Sequence, residues 1–78
     1  MASDICARVG RKIKELRQEK GWSQQLLADH AELERAHLSR LEEGKREPGL
    51  RVLERIARAL EVEIEDLVRR DPVKRSEG

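Results

Sequence analysis

An all-helical domain of five short helices is what this sequence predicts, and three observations carry the prediction. The chain has 78 residues, which is enough for one domain. Its one aromatic residue is Trp22, so the core falls to Leu, Ile, Val and Ala, which suit helix packing better than a β-sandwich. Apolar residues recur at three- and four-residue intervals between Gly, Ser and Pro positions that stop and start helices.

The elements follow in order. Ile5, Val9, Ile13 and Leu16 lie on one stripe of a first helix, which Lys20-Gly21 closes, Gly21 suiting a left-handed residue after a helix end. Ser23 reads as the N-cap of a short second helix whose apolar stripe is Leu26, Leu27 and Ala31. With Leu26 three residues on, the reciprocal capping box is missing. A third helix is expected from near Glu34 to Glu42 or Glu43, with Leu38 and Leu41 inward and Gly44 as its stop. Residues 45–49 form a turn, Leu50, Leu53, Ile56, Ala57 and Leu60 mark a fourth helix, and Ile64, Leu67 and Val68 a fifth. Residues 1–70 are thus the folded domain, and residues 71–78 are expected to be a flexible tail.

Composition excludes several classes of function. The single cysteine, Cys6, rules out an internal disulfide and a multi-cysteine zinc site. No apolar run approaches the roughly 20 residues that span a bilayer, and nothing resembles a signal peptide, so a cytoplasmic location away from membranes is expected. His30 and His37 lack metal-ligand spacing, and no nucleophile–base pair or phosphate-binding glycine loop is present. No catalysis, metal, cofactor or small-molecule ligand is expected. The net charge of +1 does not announce a nucleic-acid partner, so any basic surface must be placed by the fold.

The second and third helices are separated by about three residues near Ala31-Glu32-Leu33, the spacing of a helix-turn-helix, whose second helix lies in a DNA major groove. With Leu38 and Leu41 buried, the opposite face of that helix is Arg35, Ala36, Ser39 and Arg40, with His37 at the flank. Two arginines can fork onto guanine, a methyl can meet thymine, and a hydroxyl can donate or accept. The plain alternative for Arg35 and Arg40 is a solvated face, for Lys45 and Arg46 a helix C-terminus, and for Cys6 a half-buried helix residue.

Three fragments in order make the chain recognisable: Ser23-Gln24-x-x-Leu27-Ala28, then Leu38-Ser39-Arg40-Leu41-Glu42-x-Gly44-Lys45-Arg46-x-Pro48, then Leu53-x-x-Ile56-Ala57-x-Ala59-Leu60-x-Val62. Over about residues 5–70 it resembles the Cro and phage-repressor helix-turn-helix family, and its short length makes it most similar to restriction–modification controller proteins. The resemblance implies a lambda-repressor-like fold. It puts Arg35, Ala36 and Arg40 on base-reading positions, with Ser39 on the same side. Gln24, His37, Lys45 and Arg46 match positions that meet the DNA backbone. Arg17 and Glu42 match an ion pair between the first helix and the recognition helix.

Two positions depart from the family pattern. Glu32 stands where glycine is usual, which predicts either a strained left-handed backbone or a different turn. Glu34 is a poor N-cap, and three readings stay open for it: contact with a cytosine amino group, pairing with Arg35 or a lysine, or repulsion of phosphate. The expected function is transcriptional regulation by a homodimer on a double-stranded palindromic operator, with RNA polymerase as a second candidate partner. Val62, Ile64, Leu67 and Val68 offer an apolar surplus for the dimer interface, in the region where the family pairs. The alternative is an antitoxin-like or adaptor module that uses the same helices to bind a protein.

Overall fold

The computed structural model describes residues 3–70, with side chains from residue 5 onward. The described residues form five α-helices and no strand: α1 Ser3–Glu19, α2 Gln24–Ala31, α3 Arg35–Glu42, α4 Leu50–Leu60 and α5 Ile64–Val68. The tail expected over residues 71–78 lies outside them.

The apolar stripes converge on one centre. Ile13 of α1, Leu27 of α2, Leu38 and Leu41 of α3, Ile56 of α4 and Leu67 of α5 are fully buried. Burying each such side chain contributes roughly 1.5–3 kcal/mol. In this arrangement α1 packs on α3 and α5, and α2 packs on α3 and α4. The α1–α3 contact is at backbone distance. A Cβ at Gly10 would collide with the Leu41 carbonyl and lie 2.8 Å from the Glu42 carbonyl. Only glycine lets α1 lie flat against the end of α3.

Four helices stop in the same way. After α1, the Gly21 N–H donates to the Gln18 carbonyl (2.9 Å) and the Trp22 N–H to Arg17 (3.1 Å). The same pair of bonds ends α2 at Glu32 and Leu33, α3 at Gly44 and Lys45, and α4 at Glu61 and Val62. This is the Schellman arrangement, which needs a left-handed residue just past the helix. Gly21 and Gly44 supply it at φ 73° and 75°, but Glu32 and Glu61 adopt it at φ 60° and 63°, where a side chain is strained. Leu33 and Val62, the next residues, pack on the core and offset that strain. The left-handed option is therefore the one Glu32 takes.

Some apolar residues sit elsewhere than their stripes suggest. Ile5, Leu26 and Leu50 are exposed, Leu50 most of all at 78% because it opens α4 at the surface. Leu67, expected at a dimer interface, is fully buried where α5 meets the monomer core, so its side chain has no surface to share. Val62, Ile64 and Val68 are half-buried and keep some.

Candidate nucleic-acid interface

The site is built outward from a buried ion pair. Arg17 stands in the last turn of α1, and Glu42 is the last residue of α3. Arg17 Nε donates to Glu42 Oε2 at 2.7 Å and Nη2 to Oε1 at 2.9 Å, a two-pronged match between guanidinium and carboxylate. Nη1 donates to the Trp22 carbonyl at 2.8 Å, so the guanidinium also braces the loop entering α2. The two residues are only 7% and 8% exposed. The hydrogen bond to Glu42 holds the Arg17 pKa above its ordinary value, against burial and with help from the carboxylate charge. A raised pKa on a base gives stability that is lost only as pH rises through it, so the Arg17 guanidinium stays charged across the physiological range.

Ser23 accepts from the Leu26 N–H at 3.1 Å and starts α2, which sets Gln24 at its first turn, directed at the end of α3. Gln24 Nε2 donates to Glu42 Oε1 at 2.9 Å. Its Oε1 in turn accepts a long hydrogen bond from Arg35 Nη1 at 3.5 Å. A continuous polar path thus runs from the core pair through Gln24 to the first residue of α3. One N–H of the Gln24 amide remains for another acceptor.

The turn from α2 to α3 is Glu32–Glu34, with Arg55 Nη1 of α4 donating to the Glu32 carbonyl at 3.4 Å. Glu34 is the N-cap of α3 and makes no side-chain cap bond. Arg35 contacts Gln24, not Glu34. Burial of Leu38 and Leu41 turns Arg35, Ala36 and Arg40 fully outward, while Ser39 and His37 are half-buried at the flanks of that face. Past α3, the Lys45 N–H bonds back to the Arg40 carbonyl at 3.0 Å, and Lys45 and Arg46 are both exposed. Lys45 also lies 3.6 Å from Glu43, a surface pair of little strength.

Of the side chains expected for base and backbone contact, Arg35, Ala36 and Arg40 form an outward ridge on α3, flanked by half-buried Ser39 and His37. Half-buried Gln24 meets Arg35, and exposed Lys45 and Arg46 follow the helix in the chain. An exposed helix face with forked cations along it and more cations just past its end has the chemistry to meet a duplex groove. Sequence reasoning missed the bond from Arg17 to the Trp22 carbonyl and both side-chain bonds of Gln24. It also missed the stack of Trp22 on His30, whose ring centroids are 4.7 Å apart, under the Lys20 ammonium. Among the described residues there is no cluster of groups that would hold a metal, and no helix long and apolar enough to cross a membrane.

These features define a helix-turn-helix DNA-binding regulator, and the chain belongs to the helix-turn-helix family, whose model matches residues 13–67. Among its relatives is control protein C.MunI of a Mycoplasma species, 39% identical over 66 residues, which are 83% of this chain and 89% of that protein. Among solved structures, the restriction–modification controller protein C.AhdI of Aeromonas hydrophila superposes with a TM-score of 0.78 at 34% identity, over 80% of this chain and 94% of that one. The wild-type controller protein C.Esp1396I gives a TM-score of 0.72 at 36% identity, over 76% and 77%.

Proposed function

We propose that this regulator is a restriction–modification controller protein acting in the cytoplasm as a homodimer on a palindromic operator. The observation that carries the reading is the outward ridge of Arg35, Ala36 and Arg40, flanked by Ser39, followed in the chain by Lys45 and Arg46 and braced from behind by Arg17, Glu42 and Gln24. Arg35 and Arg40 read base edges, with Ala36 and Ser39 filling the groove floor. Gln24, His37, Lys45 and Arg46 fix register on phosphates. One helix of this length contacts too few base pairs for genomic discrimination, so two copies place their recognition helices about 34 Å apart in successive major grooves. The half-buried Val62, Ile64 and Val68 supply the self-complementary apolar patch. Bound beside a promoter, such a dimer blocks RNA polymerase or recruits it, depending on where the operator lies.

A gel-shift titration against DNA immediately upstream of the protein's own coding region tests the reading. Sequence-specific retardation is expected, with sedimentation equilibrium showing a dimer at tens of micromolar. Ile64→Asp is expected to give a folded monomer that no longer binds cooperatively, because burying an unpaired carboxylate is costly. A wild type that stays monomeric, or one that ignores DNA and pulls down a protein encoded beside it, favours the adaptor reading. The net charge of +1 is the observation on that side.

A further inference from the structure

The recognition ridge does not account for all the convergent positive charge. Arg8 and Arg11 are neighbours on α1, three residues apart, and the end of α5 brings Arg70 beside them. With Ala7 the three arginines line one shallow, open depression of about 300 Å³. We propose that Arg8, Arg11 and Arg70 form a phosphate-binding site, distinct from the phosphate contacts assigned to Gln24, His37, Lys45 and Arg46.

Three features support this. First, Arg11 and Arg70 have no counter-charge among the described residues. Arg69, next in the chain, is neutralised by Asp66 at 2.7 Å, whereas neither Arg11 nor Arg70 forms an ion pair with any described residue. Like charges brought together without a counter-charge repel, and an anion at their focus reverses the sign of that interaction. Second, the site is partly organised in advance. Arg8 Nη2 donates to the Val68 carbonyl at 3.1 Å, which fixes the guanidinium against the end of α5. Its Nε is buried and has no hydrogen-bond partner, and an oxyanion seated beside it is the group that would satisfy that donor after a small side-chain shift. Third, the chemistry fits. Guanidinium forks match phosphate oxygens, three of them suit a dianion better than a single carboxylate, and an open depression admits a group attached to something larger.

The phosphate has two possible sources, the DNA backbone or a free phosphorylated small molecule, and the surroundings favour DNA. Ala7 borders the depression and is also the residue on which Gly44 rests, since a Cβ at Gly44 would lie 2.9 Å from the Ala7 Cα. Gly44 immediately precedes Lys45 and Arg46. The depression therefore adjoins the loop proposed to grip the backbone and extends that footprint along α1. The DNA source rests on the reading of the preceding subsection; the site itself does not.

The test uses the double variant Arg11→Ala/Arg70→Ala, leaving Arg8 to hold α5. Binding to the upstream duplex is followed by fluorescence anisotropy at several salt concentrations. Sodium pyrophosphate is titrated separately, without DNA, while the arginine Nε–H signals are followed by NMR. If the site grips DNA, the slope of log K against log salt falls in magnitude by about 0.9 for each phosphate no longer neutralised, with discrimination against altered operators unchanged. If it takes a free phosphate, the slope holds, and pyrophosphate shifts arginine signals in the wild type but not in the variant. An unchanged slope together with identical pyrophosphate responses overturns the proposal. A wild type that binds no DNA overturns the regulatory reading instead, and the pyrophosphate titration then decides the site alone. Should the alanine variant melt differently from wild type, Arg11→Gln/Arg70→Gln repeats both measurements with more of each side chain retained.

Discussion

Arginine is used in two opposite ways on the two sides of α3. At the α1–α3 junction Arg17 is buried, and all three of its guanidinium nitrogens are engaged by Glu42 and the Trp22 carbonyl. On the outer face Arg35 has a single long bond to Gln24, and exposed Arg40 has none with the described residues. The first arrangement gives up side-chain freedom to make a rigid strut. The second keeps donors and rotamers available for a partner that arrives from solvent. The difference teaches that exposure and spare hydrogen-bonding capacity, rather than residue type, separate framework from recognition in so small a domain. Gln24 belongs to both sides, with one amide atom on the strut and the other on Arg35.

The largest expected effect strikes the strut. Arg17→Ala leaves Glu42 buried and unpaired, and is expected to cost about 3–5 kcal/mol of stability. For a domain of this size that lowers the melting point by more than about 10 °C, at about 4–8 °C per kcal/mol. Arg17→Met combined with Glu42→Gln should recover part of that stability, since it removes both charges. Unmoved thermal melts would erase the distinction between the two sides of α3.

On the outer face, Arg35→Ala should leave the melt within about 0.5 kcal/mol of wild type. Specific DNA binding should weaken by roughly 1–3 kcal/mol, with relaxed preference at one base pair per half-site. Uniform weakening across all sequences would reassign Arg35 to phosphate. Gln24→Ala should register on both sides at once, with stability down by about 1 kcal/mol from the missing bond to Glu42 and a measurable drop in affinity. Because Gln24 is uncharged, the salt slope should barely move, whereas Arg46→Ala should reduce its magnitude by about 0.9 per monomer. A salt slope that follows Gln24 rather than Arg46 would reverse their roles.

The smallest effect concerns the turn between the two sides. Glu32→Gly should relieve left-handed strain and raise stability by at most about 1 kcal/mol, partly offset by the greater freedom of glycine in the unfolded chain. DNA affinity should not change. A drop in affinity in this variant would show that the Glu32 carboxylate, and not only its backbone, takes part in recognition.

Much of this was legible in the sequence, for reasons that also explain what was not. The five helices followed from local periodicity and from Gly21, Ser23 and Gly44, because those signals act over a few residues. The pairing of Arg17 with Glu42 was legible only through family resemblance, since 25 residues separate them. The left-handed geometry of Glu32 was flagged only by the glycine usual there in the family, that of Glu61 by nothing, and it is the packing of Leu33 and Val62 on the core that holds them there. Leu67 was misassigned because an apolar surplus at the C-terminal end does not reveal which side chains α1 will cover. The clamp from Arg8 to Val68 spans 60 residues and leaves no local trace.

Reading a groove is a matter of reach, and here the missing side chain of Gly10 sets the reach. Because α1 touches the carbonyls of Leu41 and Glu42 directly, the depth at which α3 is seated in the body is fixed by backbone against backbone, with no compressible side chain between. That contact acts as a mechanical stop, so the height of the recognition ridge above the domain does not drift as side chains change rotamer. Any larger residue at position 10 would act as a shim under one end of α3, tilting the ridge and shifting Arg40 and Lys45 relative to Arg35. The spacing with which this domain meets DNA is thus calibrated at a position that never touches it.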